Sequence, residues 1–145
     1  MSSENKIDPF AVLILVLSII GIILIAPFDF AAFYHTGVGE NRWSCLTCEY
    51  ATTGDLIAQI FMIILFIIQA IVALNDLVPN RFINMDLAKY GMGLAALTML
   101  FAIIGIASFG AAYSEYEWWP EIGFYGGIVG GLLNTVLFYL KFRNQ

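Results

Sequence analysis

Charge is scarce in this chain. Only 12% of its residues are Asp, Glu, Lys or Arg, whereas 61% are hydrophobic. A soluble domain carries about 25% charged residues, so most of this surface faces something other than water. Histidine occurs once, at His35, and cysteine twice, at Cys45 and Cys48. A single histidine with no serine motif leaves hydrolytic catalysis without support. No phosphate-binding loop or dinucleotide fingerprint is present. The net charge of −5 argues against nucleic acid as a partner. Neither a metal nor a cofactor is expected.

Long apolar runs are abundant instead. They span Phe10 to Pro27, Leu56 to Leu74, Tyr90 to Tyr113 and Ile122 to Leu140. About 20 helical residues cross the hydrocarbon core of a bilayer. Strands of a membrane barrel would be shorter and would alternate apolar with polar residues. Continuous runs therefore predict helices, which satisfy their own backbone hydrogen bonds in lipid. The sequence reads as an all-α membrane protein, a single domain over residues 1–145 built as a four-transmembrane-helix bundle. The expected helices cover about 9–28, 55–75, 89–113 and 121–141. The first run lacks a small-x-small cleavage site and is long for a leader, so it is kept as a membrane helix. Asp8-Pro9 is a helix start: Asp caps the first amides and proline suits the first turn.

Basic residues set the orientation. Lys6, Arg81, Lys89, Lys141 and Arg143 fall on one side of such a bundle, and Arg42 alone on the other. Positive residues favour the cytoplasmic side. The expected address is the cell membrane, multi-pass, with both termini inside and with outside loops at 28–55 and 114–121. Among the outside residues, Trp43, Tyr116, Trp118 and Trp119 form an interfacial belt or a contact patch for a partner.

Glycine is concentrated in the last run. Gly123, Gly127 and Gly131 form one row at four-residue spacing, and Gly126 and Gly130 form another. Such rows let backbones approach closely. They serve packing inside the monomer, self-association, or both. Gln69 and Asn134 are the deepest polar side chains, at similar expected depth, and could bond to each other; a transport or quinone site is the other reading. No ionisable residue lies well inside a run, which argues against a pump or proton relay.

The first outside loop holds the only candidate chemistry. Cys45 and Cys48 there form a structural disulfide, an interchain link or a redox-active pair. A metal site would need His35 and Glu40 to complete the cysteines, because a closed zinc site takes four ligands.

Two resemblances follow from these residues. The stretch Arg42-Trp43-Ser44-Cys45-Leu46-Thr47-Cys48, the last hairpin from Ala112 to Asn144 and the four-run layout resemble the claudin and peripheral-myelin-protein superfamily of tetraspans. That likeness implies cytoplasmic ends and a role in adhesion or assembly. The cysteines are closer than in that family, its Gly-Leu-Trp lead-in is missing, and the loop is short for its extracellular sheet. Cys45-Leu46-Thr47-Cys48 ahead of the second run also resembles the DsbB-type membrane proteins. That likeness implies disulfide exchange with quinone as cofactor, but the second cysteine pair of that family is missing. The expectation is a non-enzymatic tetraspan for lateral assembly, cell-surface contact or accessory-subunit work. Its partners would be the lipid bilayer and either further copies of itself or other membrane proteins. Thiol-disulfide oxidoreductase is the alternative, and a small transporter or channel component the third.

Overall fold

The computed structural model describes residues 7–145. Lys6, one of the orienting basic residues, lies outside the described residues. Four helices, α1 (Pro9–Ile25), α2 (Thr53–Leu77), α3 (Ala88–Ala112) and α4 (Ile122–Arg143), are accompanied by three short strands. The strands are β1 (Ala31–His35), β2 (Glu40–Ser44) and β3 (Glu117–Pro120). By length and composition, α2, α3 and α4 are able to cross a membrane, and α1 is a shorter apolar helix of 17 residues.

The fold is mostly helical but not all-α. The strands form one antiparallel sheet in the order β2-β1-β3. Strand β3 comes from the segment between α3 and α4, so the pairing joins distant parts of the chain. Each strand has only four or five residues, too few for alternation to show against the background. Helix α1 ends at Ile25 rather than near residue 28, because the chain must turn through residues 26–30 to enter β1.

Local chemistry fixes the helix starts. The Asp8 carboxylate accepts from the amides of Phe10 at 2.9 Å and Ala11 at 3.4 Å, with Pro9 in the first turn. Thr52 and Asp55 form a reciprocal capping box at the head of α2.

The helices pack in a ring: α1 and α3 each lie against α2 and α4. Their inner seams mix small and polar residues with a few large ones such as Met62, Phe66, Phe109 and Phe138. In α3 the buried positions include Ala88, Gly91, Ala95, Thr98, Ala102, Gly105 and Phe109, a spacing of alternating threes and fours as in a heptad seam. Helix α1 buries Ala11, Ile14, Ser18, Gly21 and Ile25 in the same way. Many large aliphatic side chains point outward, with Leu13, Ile19, Ile23, Ile71, Ile103 and Leu132 among the exposed ones.

At the end opposite the sheet, charges close the ring. Lys141 of α4 is buried and pairs with Asp8 at the start of α1 and with Asp76 of α2, the latter at 2.8 Å. Asp76 also meets Arg81 at 3.5 Å. The Asn75 amide grips the backbone of Ile83, accepting from its N–H at 2.8 Å and donating to its carbonyl at 3.2 Å.

Candidate functional site at the sheet-covered end

The β1–β2 hairpin begins with a tight turn. Gly39 takes φ +70°, a left-handed conformation that only glycine adopts without cost. Its N–H donates to the His35 carbonyl at 2.9 Å. The register then sets Ala32 opposite both Trp43 and Trp119, and Tyr34 opposite Asn41 and Glu117. Side chains alternate along a strand, so these residues share one face, directed away from the bundle. Trp43 and Tyr34 are 44% and 37% exposed on it, and Ala32 between the tryptophans is fully covered. Trp119 is half-buried, and its indole N–H donates to Glu121 at 2.7 Å.

The other face of the sheet rests on the helices. Phe33 is buried there, stacked on Tyr113 with ring centres 4.0 Å apart and surrounded by Tyr50, Phe109 and Tyr116. Trp118 approaches Phe109 edge-on and fills the space beside Gly110. The four aromatics of the expected patch therefore divide. Trp43 and Trp119 look outward, joined by Tyr34, whereas Tyr116 and Trp118 lie on the helix-facing side, where Trp118 packs on Phe109 yet keeps 38% of its surface exposed. His35 stacks on Tyr116 at 5.2 Å, and Arg42 lies 5.1 Å over the Tyr50 ring and 3.1 Å from Glu40.

Beneath β2 lies a buried carboxylate. Asp55, which reads as an outside surface acid in the sequence, is fully buried at the head of α2. The hydroxyls of Ser44 and Thr52 donate to it, as does the Thr52 amide at 2.6 Å. A carboxylate out of water requires such donors. The Ser44 contact ties the sheet to α2.

Cys45 and Cys48 follow β2 in a turn, their sulfurs at disulfide distance, 2.08 Å. The Cys48 N–H donates to the Cys45 carbonyl at 3.2 Å. Both residues are half-buried. The side chain gathered beside them is Asp29: its carboxylate oxygen and the two sulfurs all lie within 4.8 Å of one another. His35 and Glu40, the residues a metal site would have recruited, do not join this cluster; their partners are Tyr116 and Arg42. Burial pushes the Asp29 carboxyl above its usual value, and the nearby Glu121 carboxylate adds to the shift. Sequence reasoning missed Asp29 and Asp55 because both sit next to loops, where acids are ordinarily solvated.

Midway along the bundle, each helix supplies one polar side chain. Asn134 donates to Gln69 at 2.8 Å and to Ser18 at 2.9 Å. Gln69 donates to Thr98 at 2.9 Å, and Thr98 to the Leu94 carbonyl at 3.0 Å. All four are fully buried.

The glycine rows of α4 meet atoms of the same chain. A Cβ on Gly127 would fall 2.4 Å from the Met62 sulfur, and one on Gly131 would fall 3.1 Å from the Ala95 carbonyl oxygen. Gly123 lies against the backbone of Asp29 and Phe30, Gly126 against Leu24, and Gly130 against Phe66. Gly126 and Gly130 also floor an open apolar groove of about 300 Å³ between α1 and α4, with Gly21 and Leu17 on its other wall.

Comparison with protein-family models, with curated proteins and with solved structures finds no match.

Proposed function

We propose that this chain is a four-span membrane protein, with both ends cytoplasmic, that acts by contact. The sheet is its platform for holding another membrane protein. Several features support the spanning. The Lys141–Asp8 pair brings the start of α1 and the end of α4 to the same end of the bundle. Every helix exposes large aliphatic side chains, and the seams of α3 and α4 bury mostly glycine, alanine and polar residues, a pattern that suits lipid outside and close helix packing inside. Helix α1, at 17 residues, sits at the lower limit of a span, and its exposed Val12, Leu13, Val16, Ile19, Ile20 and Ile23 suit lipid. Arg81, Lys89, Lys141 and Arg143 gather at the end opposite the sheet, which favours that end as cytoplasmic.

The observation that carries the contact reading is the outward face of the sheet. Tyr34, Trp43 and Trp119 lie on it side by side, held from below by Phe33 and the Ser44–Asp55 bond. Rigid aromatics on a fixed support are the anchors of most interfaces. The glycine rows meet atoms of the same chain, and the proposed contact is the one made by the sheet.

The test is a photo-cross-linker at Asn41, on the same face, in native membranes. A discrete cross-linked partner chain is expected, and a Tyr34→Ala, Trp43→Ala double variant should reduce its yield at least about tenfold, as truncation of interface anchors does. An undiminished yield in the double variant, or labelling of lipid alone, would remove the sheet as the contact site.

A further inference from the structure

We propose that Cys45–Cys48 is an exchangeable disulfide, and that Asp29 passes a proton to and from the Cys45 sulfur as the pair exchanges with a dithiol segment of a partner protein. This goes beyond the contact reading and does not depend on it.

The geometry is built by the sheet. Ala31 pairs with Ser44, and the Phe30 N–H donates to the Ser44 carbonyl at 2.7 Å. Continuing that register leads Asp29 to the Cys45 turn. The Asp29 carbonyl accepts from the Gly123 amide at 2.9 Å, and a Cβ on Gly123 would crowd that oxygen at 3.1 Å. Backbone contacts on both sides thus hold the Asp29 main chain in place, and its carboxyl lies beside the sulfurs, within 4.8 Å. The Thr47 hydroxyl stands 3.7 Å from the Cys45 sulfur on the exposed side. A sulfur in a disulfide has no proton to give, so this hydroxyl is the donor. It favours Cys45 as the sulfur that leaves with negative charge.

The exchange balances as follows. A partner thiolate attacks the Cys48 sulfur, the Cys45–Cys48 bond breaks, and Cys45 leaves as a thiolate that takes the Asp29 proton. The partner's second thiolate then attacks its own sulfur in the mixed disulfide and releases Cys48, which is protonated. The partner dithiol loses two electrons and two protons and becomes a disulfide; this chain gains them and carries two thiols. Asp29 recovers its proton from the partner's ionising thiol. The reverse sequence transfers the oxidation from a partner disulfide. Thiolate departure is favoured beside a protonated carboxyl and opposed beside a charged one. The burial and the Glu121 carboxylate that hold Asp29 above its usual value enlarge the protonated fraction. Glu121, at the head of α4, is the charged group acting on Asp29, and Glu49 adjoins Cys48 on the exposed side of the turn.

The test uses the full chain in detergent. Its reduction by dithiothreitol is followed by maleimide mass-tagging across acid to mildly alkaline pH, with each rate divided by the thiolate fraction of the reagent. The corrected wild-type rate should rise as pH falls through the Asp29 titration, by about tenfold, less than an optimised general acid provides. In Asp29→Asn the corrected rate should be flat, and above that titration it should exceed the wild-type rate. Glu121→Gln, which leaves the cysteines and Asp29 intact, should move the rise to lower pH and so tests the idea independently if Asp29→Asn misfolds. Identical profiles in wild type and both variants, or a pair that reduces only after unfolding, would overturn the proposal while leaving the cross-linking result at Asn41 untouched.

Discussion

Asn134 joins three helices with one side chain. Its Nδ2 group serves both Ser18 of α1 and Gln69 of α2, and Gln69 carries the link to Thr98 of α3. Hydrogen bonds of this kind in membranes average about 0.6 kcal/mol each. Asn134→Leu removes two of them, and the Asn134 Oδ1 atom has no partner to lose. The variant should therefore be destabilised by roughly 1 kcal/mol, measured as the unfolding free energy in mixed micelles. Thr135→Val is the comparison, since Thr135 bonds only the Gly131 carbonyl of its own helix and should change stability by less than about 0.5 kcal/mol. An equal effect of the two would mean that the belt contributes nothing specific. At this scale the sequence was partly readable. Gln69 and Asn134 stand out because long amides inside apolar runs need partners. Thr98 does not, because a helical threonine can satisfy itself on the preceding turn, as it does on Leu94. Asp29 and Asp55 stayed hidden for a different reason. Asp55 is buried under a sheet that no local pattern announces, and Asp29 is half-buried beside the disulfide turn that follows the sheet.

The helices were legible as elements because length and apolarity alone define them, to within a few residues at each end. The sheet was not, because β1 finds one of its partners beyond α2 and α3, and pairing across that distance leaves no local signature. Helix seams lie between these cases. The glycines of α4 announced close approach, but not to what. The structure supplies the partners and a sharp contrast. Gly131 faces Met99 and the Ala95 carbonyl of α3, where an added Cβ would stand 2.7 Å from Met99 Cγ and 3.1 Å from that oxygen. Backbone cannot retreat as a side-chain tip can, so Gly131→Ala should destabilise by about 1–3 kcal/mol, the usual range for overpacking. Gly93 of α3 has nothing within 4 Å of its Cβ direction. There Gly93→Ala should stabilise by about 0.5–1 kcal/mol through helix propensity alone. Thermal midpoints of the two variants in the same detergent, moving in opposite directions, would locate the α3–α4 seam. Shifts of the same sign would contradict it.

At the scale of the whole molecule, the two ends of the bundle are closed by different means. One end has an aromatic sheet and a disulfide turn. The other has a cluster of charges in which Lys141 sits between Asp8 and Asp76, joining α1, α2 and α4. A buried lysine needs such partners, so the cluster makes the ring of helices depend on ionisation. For Asp8, burial pushes the carboxyl up, but the hydrogen bond and charge of Lys141, with the amides of Ala11 and Phe10, outweigh it and hold the group below its ordinary value of 3.8. The native state therefore binds that proton more weakly than the unfolded state does. The resulting stability is fully present above 3.8 and is lost as pH falls through the lower folded value. Asp8→Asn keeps much of the helix cap but removes the charge. Wild type should thus be the more stable of the two at neutral pH, and the gap should close in acid below 3.8. Thermal midpoints of both proteins, measured from neutral to strongly acid pH, test this directly. A gap that persists unchanged into acid would mean that the carboxylate does not carry the link. In that case the closure of this end would have to rest on Asp76, whose side chain is only 5% exposed and which meets both Lys141 and Arg81.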